Sequence, residues 1–323
     1  MGLRIAATGS YAPANVVTND DLASLGMDAD WIVQRTGIHE RRHAPPEQAT
    51  SDLCVEAGNQ CLERAGITAA DVDLLVVGTF TPDQLVCSTA ATVQNRLGVR
   101  TGAIEVSAAC AGFMYALVTA SQFVSSGASK RALVIGGDCN SRVIDSSVPK
   151  IYPLFGDGAG AVLLVPGSPE QGLLAYTLGA DGSGAEMLYK PMGGSRMPAS
   201  HEAIDAGFGL LQMDGRGVFK WATRVLIDSI TDVLAHAKLQ LSDIDVFVLH
   251  QANVRIIEAA AENLGIEREK LVINIERYGN TSGGSVPLAL DEALLQGRIR
   301  PGDKVLMSGY GAGLSWGTAI FQW

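Results

Sequence analysis

The chain is poor in positive charge. Its 323 residues carry 24 Lys and Arg against 34 Asp and Glu, a formal net charge of −10. Binding to nucleic acid depends on neutralising phosphates with Lys and Arg, so nucleic acid is not expected as a partner. Cysteine is also scarce: Cys54, Cys61, Cys87, Cys110 and Cys139 are the five. An odd count without a CxxC pair fits a reducing cytosol better than a disulfide framework, so the expected location is cytoplasmic. The histidines, His39, His43, His201, His236 and His250, show no zinc-type spacing, and no metal site is expected. No apolar run is long enough to span a bilayer. The opening MGLRIAATGSYAP begins as strand-like sequence, without the charged lead and apolar core of a signal peptide. No membrane role is expected. Aromatics make up only 6% of the chain, but 47% of residues are hydrophobic and 37 are glycine. That is a compact globular composition with many tight turns.

Hydrophobic patterning alternates strands with helices. Short apolar runs at 3–8, 72–78 (VDLLVVG), 103–106, 131–137 (RALVIGG) and 156–165 read as buried strands. Helical spacing covers 20–25, 29–35, 51–66, 88–97 and a stretch from the Cys110 turn to about Gly127. Cys54 and Cys61 share one face of the 51–66 helix and read as core packing. A less regular zone follows at about 167–215, rich in Gly, Pro and Ser, and part of it reads as a lid or channel wall. The alternation then resumes, with helices at 218–237, 254–264 and 285–295 and strands at 245–249, 271–275, 304–308 and 315–321. Such alternation calls for an α/β layered fold with helices on both faces of each sheet. The two halves, 1–166 and 167–323, share one rhythm of elements without a visible residue-level repeat. The GDGAG at 156–160 is followed by a strand, not a helix. It therefore lacks the helix N-terminus that a dinucleotide fingerprint needs.

Three stretches are unusual for a plain scaffold. Cys110 lies in SAACAGFMYAL, at a strand-to-helix turn among small residues. Free N–H groups and the helix dipole at such a turn lower a thiol pKa; the bland alternative is an inert buried cysteine. His250 opens HQAN directly after the strand VFVL, and ligands of open α/β sheets gather at strand carboxyl ends. A satisfied core or surface histidine is the alternative. Asn280 lies in YGNTSGGS between a strand and a helix, where it is either a site residue or a turn former. Together they supply a thiol nucleophile, an imidazole and an amide. One suited chemistry is acyl transfer to Cys110, followed by decarboxylation of a second thioester. His250 Nε2 and Asn280 Nδ2 would then stabilise the enolate, each such donor typically contributing ~10²–10³ in rate. Cysteine hydrolases use the same residue types, and a non-catalytic binding module is a third reading. Gly311-Ala312-Gly313 is a tight turn able to bring a backbone N–H to Cys110.

SAACAGF, FGDGAGA, HQAN and ERYGNTSGGSVPLAL, with DADWIVQRTGI near the start and GAGLSWGTA near the end, occur in this order. Together they resemble the β-ketoacyl-acyl-carrier-protein synthase III family, over nearly the whole chain. The resemblance implies a thiolase-like fold, α-β-α-β-α in five layers from two similar halves, and a homodimer. It implies condensation of an acyl-CoA primer with malonyl-acyl-carrier protein, initiating fatty acid synthesis. The alternative is a specialised condensing enzyme or acyltransferase of secondary metabolism. It carries Cys110, His250 and Asn280 over as catalytic, and the N–H groups of Cys110 and Ala312 as the oxyanion hole. Trp31, Arg35, Arg216, Phe219, Ala252 and Asn253 would bind coenzyme A and pantetheine. Lys220 and the segment Gln251, Ala252, Asn253, Val254 and Arg255 would dock the acidic carrier. No cofactor is implied, since acyl-CoA and the malonyl carrier are substrates. Three departures stand out. Val148-Pro149-Lys150 stands where some members have a coenzyme A-clamping arginine, and Glu262-Asn263 where some carry two lysines. Val86 stands where a phenylalanine often caps the partner's acyl pocket, which suggests a longer or branched primer.

Overall fold

The structure is a computed structural model and describes residues 2–323. Ten strands form two five-stranded sheets. The first sheet holds β1 (Gly2–Tyr11), β2 (Leu74–Gly78), β3 (Ala103–Val106), β4 (Ala132–Asp138) and β5 (Gly158–Gly167), in spatial order β1-β5-β4-β2-β3. The second holds β6 (Gly172–Ala180), β7 (Val246–Leu249), β8 (Leu271–Val272), β9 (Lys304–Gly311) and β10 (Ser315–Gln322), in order β6-β10-β9-β7-β8. The two orders are the same permutation. In each sheet the first two neighbouring pairs are antiparallel and the last two parallel. The shared rhythm of the halves is thus a shared topology, although the residues do not repeat.

Seven helices matter for the layers: α1 (Ala29–Thr36), α2 (Thr50–Ala65), α3 (Thr89–Leu97), α4 (Gly112–Ser125), α5 (Gly215–Ala237), α6 (Val254–Leu264) and α7 (Ser285–Leu295). α2 packs on the outer face of the first sheet, beside α3. α5 covers the outer face of the second sheet and packs against α6. α4 and α7 lie between the sheets and touch both. This is the five-layer α-β-α-β-α arrangement. Sequence dictates which helices go inside. α4 is apolar all round, with Phe113, Met114, Ala116, Leu117 and Ala120 fully buried, and such a helix must be covered on every side. α6 is strongly two-faced: Ile256, Ile257, Ala260 and Ala261 are buried while Arg255 and Glu262 are exposed. Cys54 and Cys61 are buried on α2, as core residues.

The structure corrects three local expectations. The irregular zone at 167–215 contains a full strand, β6, nine residues long and paired antiparallel with β10. It forms one edge of the second sheet and half its side chains face solvent, so its sequence lacks the apolar run of the inner strands. The expected 271–275 strand stops at Val272, and Ile275 begins a short helical turn, Ile275–Tyr278. β3 is half-buried rather than buried, because it is an edge strand with β2 on one side only. No helix among the described residues is long and apolar enough to cross a membrane.

Candidate functional site

The site lies where the carboxyl ends of strands from both sheets meet. β3 ends at Val106, and a single 3₁₀ turn, Ala109–Ala111, carries Cys110 into α4. Ala109 is left-handed at φ 47°. A non-glycine residue there is strained, and such strain concentrates at functional turns. The second sheet supports the turn from below. Gly311 lies so close that a Cβ on it would stand 2.9 Å from Cys110 Cβ and 3.0 Å from Sγ. Glycine is therefore required at 311.

His250 follows β7 and is buried; its N–H donates to the carbonyl of Ser308 at 2.8 Å. Ser285, the first residue of α7, fixes the ring. Its Oγ accepts the Gln251 N–H at 2.7 Å and stands 3.0 Å from His250 Nδ1. The hydroxyl proton then goes to Nδ1, which places the imidazole proton on Nε2. Burial pushes the His250 pKa down to about 3, so the ring is neutral at working pH and Nε2 is a donor. Asn280 is held by backbone pairing: its N–H donates to Leu154 O at 2.8 Å, and its O accepts from Gly156 N–H at 3.0 Å. Its Oδ1 accepts the Ser282 N–H at 2.8 Å. That identifies the carboxamide's other end, Nδ2, as the donor available to a ligand.

A buried carboxylate ties these pieces together. Asp138, the last residue of β4, is fully buried. Its Oδ1 accepts from Thr79 Oγ1 (2.8 Å), Phe80 N–H (2.9 Å) and Thr81 Oγ1 (2.9 Å), and its Oδ2 from Gly283 N–H (2.8 Å). Burial nonetheless raises its pKa to about 6. Asn140 links the same loops, donating to Gly156 O at 2.6 Å and accepting from Ser282 Oγ at 2.9 Å. Sequence reasoning missed Asp138, Asn140, Ser282 and Ser285. Asp138 was within reach, since it too stands at a strand's carboxyl end.

The thiol expectation is overturned. Cys110 is pushed up to about 12, chiefly by burial, with a smaller contribution in the same direction from the Asp138 charge. The Ser282 hydroxyl and the local backbone N–H pull the other way but do not win. Removing a thiolate from water outweighs a few aligned dipoles.

Two cavities meet at Cys110. One, of about 580 Å³, is bordered by Phe80, Tyr115, Leu188, Leu211, Ala312 and Leu314 among others, so the 167–215 zone does contribute wall. The other, of about 170 Å³, joins Cys110, His250 and Asn280 to Phe219, Ala252 and Asn253. Lys150, from the segment Val148-Pro149-Lys150, lines this second cavity. Near Asn253, Trp31 is 44% exposed with the Arg35 guanidinium 5.6 Å from its ring centre, and Asn253 Nδ2 donates to Arg35 O at 3.0 Å. Arg216 and Lys220 are exposed on the first turns of α5, and Arg255 is exposed with its guanidinium 5.7 Å from the Phe219 ring.

Gln251 departs from its expected docking role. It is 1% exposed, and its amide donates to Leu249 O and Val272 O and accepts from Asn274 N–H. It stitches strand ends together and presents nothing to a carrier. Val254 is half-buried against Gly37. Val86 is 86% exposed and lines neither cavity of its own chain.

Residues 104–182 match the family model for 3-oxoacyl-[acyl-carrier-protein] synthase III, and residues 234–323 match the model for its C-terminal part. A β-ketoacyl-[acyl-carrier-protein] synthase III from Rhodopirellula baltica is 53% identical over 100% of this chain and 99% of its own. The crystal structure of 3-oxoacyl-[acyl-carrier-protein] synthase III from Aquifex aeolicus superposes with a TM-score of 0.92 at 38% identity, covering 100% of both chains. The priming β-ketosynthase of the R1128 polyketide biosynthetic pathway also superposes at 0.92, with 35% identity over 99% of this chain and 96% of its own. With family models matching just over half of the chain and a relative 53% identical over its full length, the chain belongs to the 3-oxoacyl-[acyl-carrier-protein] synthase III family.

Proposed function

We propose that this chain is a decarboxylating condensing acyltransferase, which joins an acyl-CoA primer to malonyl-acyl-carrier protein and so starts fatty acid synthesis. One observation carries the reading: Cys110 sits where two cavities meet, with a neutral His250 and the Asn280 amide on the channel side. The larger cavity suits the primer's acyl chain. The narrower one suits a thioester arm entering from the surface.

In the first half-reaction the Cys110 sulfur attacks the primer thioester carbonyl. The N–H groups of Cys110 and Ala312 stabilise the oxyanion, and the coenzyme A thiol leaves. In the second, the malonyl thioester carbonyl accepts from His250 Nε2 and Asn280 Nδ2. Its Cα–carboxylate bond breaks, carbon dioxide departs, and the electron pair becomes an enolate held by those two donors. The enolate carbon attacks the Cys110 thioester and expels the thiolate, which takes a proton from water to restore the thiol. His250 serves as a donor, not a base, which its low pKa supports.

Trp31 and Arg35 would hold the nucleotide end of coenzyme A, and Lys150 would border the path of the arm towards Cys110. Lys220 and Arg255 would give an acidic carrier its cationic surface and Arg216 would bind the pantetheine arm, while Glu262 lies exposed on the same helix as Arg255 and weakens that patch. A homodimer is supported by the half-buried edge strand β3, whose free edge can pair with a second copy. It is supported as well by the exposed Leu85 and Val86. In such a pair Val86 would border the partner's primer pocket and favour a longer or branched chain. The free cysteines support a reducing, cytoplasmic location.

Intact-protein mass spectrometry tests the reading. The protein is mixed with acetyl, branched and longer acyl-CoA, then with malonyl-carrier protein. A mass gain absent in Cys110→Ser, and discharged into a β-ketoacyl carrier, is expected. Discharge to water or to another acceptor would refute it, and strict acetyl preference would refute the role given to Val86.

A further inference from the structure

Tyr310 belongs to the segment Gly309-Tyr310-Gly311 at the end of β9. Alternation along the strand gives the three residues different tasks. A Cβ on Gly309 would stand 3.0 Å from Met114 Cγ and 3.1 Å from Cys110 O, so both glycines face the nucleophile turn. Tyr310 points to the opposite side, towards α5 and α6, where it packs with their outer core. Its ring meets His250 edge-on at 5.2 Å and Trp221 at 6.4 Å. It lines the narrower cavity together with Cys110, His250 and Asn280, and does not line the larger one.

Tyr310 is 2% exposed, and its hydroxyl has no hydrogen-bond partner among the described residues. A buried donor left unmade destabilises a fold, and phenylalanine would fill the same volume without that cost. Burial also holds the phenol well above its ordinary range, so it remains a neutral donor.

We propose that the Tyr310 hydroxyl hydrogen-bonds the carboxylate of the malonyl thioester and so selects the extender over uncharged acyl thioesters. The inference rests on the condensing function proposed above. The other substrate acceptors are already served: the malonyl carbonyl by His250 Nε2 and Asn280 Nδ2, the primer carbonyl by two backbone N–H groups. The carboxylate is the remaining acceptor at that end of the channel. The cavity wall is otherwise largely apolar there, with Phe155, Val218, Ala222 and Ile256, and its one cation, Lys150, is solvent-exposed. A neutral donor suits the task. A buried cation would hold the carboxylate charge strongly, and that hold would be lost as the charge moves to the enolate. A single phenolic O–H orients the anion and opposes its departure less.

Tyr310→Phe tests this, because it removes one oxygen and keeps the ring. The KM for malonyl-carrier protein is expected to rise about tenfold, the loss typical of one hydrogen bond to a charged group. The rate of Cys110 acylation by acyl-CoA is expected to stay within twofold of wild type, and the thermal midpoint to stay equal or rise. An unchanged KM overturns the proposal. So does a parallel fall in acylation rate, which would make Tyr310 a general part of the channel wall. If wild-type protein releases no carbon dioxide from a malonyl thioester, the condensing reading itself fails. If wild type does and the variant matches it, only the role of Tyr310 fails.

Discussion

Acidification should act on this protein through two buried groups of opposite sign. His250 has a folded pKa of about 3 against an ordinary 6.5. Between those values the unfolded chain binds a proton that the folded chain refuses. Stability from this group is present above 6.5 and is lost as pH falls towards 3. At about 1.4 kcal/mol per pH unit, lowering the pH from 7.5 to 5 costs about 2 kcal/mol. Asp138 works the other way. Its folded pKa is about 6 against an ordinary 3.8, because burial outweighs its hydrogen bonds. The folded chain binds that proton first, so this group lowers stability as pH rises through the same window. Lowering the pH from 7.5 to 5 then returns about 1 kcal/mol. The assay is denaturant unfolding of wild type, His250→Gln and Asp138→Asn at both pH values. Each variant is compared with itself, which cancels its packing cost. The acid loss should shrink by about 2 kcal/mol in His250→Gln and grow by about 1 kcal/mol in Asp138→Asn. An acid loss in His250→Gln equal to that of wild type would refute the claim that the folded imidazole stays neutral.

Two further outcomes follow from the same geometry. With Cys110 raised to about 12 by burial, its alkylation by iodoacetamide should climb about tenfold per pH unit from pH 7 to 9. A plateau near neutrality, read by mass spectrometry, would mean a low-pKa thiol. Gly311→Ala places a methyl about 3 Å from Cys110 N and Sγ. Acylation by acyl-CoA should drop at least 100-fold, with thermal unfolding reporting whether the fold survives; acylation near the wild-type rate would refute the close approach.

Much of this protein was legible in its residues. The apolar runs VDLLVVG and RALVIGG could only be inner strands covered on both faces. The apolar run from Phe113 to Leu117 pointed to a helix, while its central place between the two sheets was not legible. The motifs around Cys110, His250 and Asn280 named the family and three groups that the fold brings to one cavity, because side-chain chemistry is carried by residue type. Other features were not legible, since they depend on what surrounds a residue. The strand Gly172–Ala180 hid because an edge strand needs no continuous apolar run. Gln251 sits in a motif expected to face a carrier, yet three neighbouring backbone groups draw its amide inward. The Cys110 turn promised an acidic thiol from local dipoles alone. The thiol's ionisation was decided by the second sheet and the central helices, which close over it and exclude water. The same holds for the His250 proton, which Ser285 places from 35 residues away in the chain. Local pattern determined which elements form and which chemistry they carry; only tertiary packing decided solvation, tautomer and partner, because those depend on groups that the chain brings together from far apart.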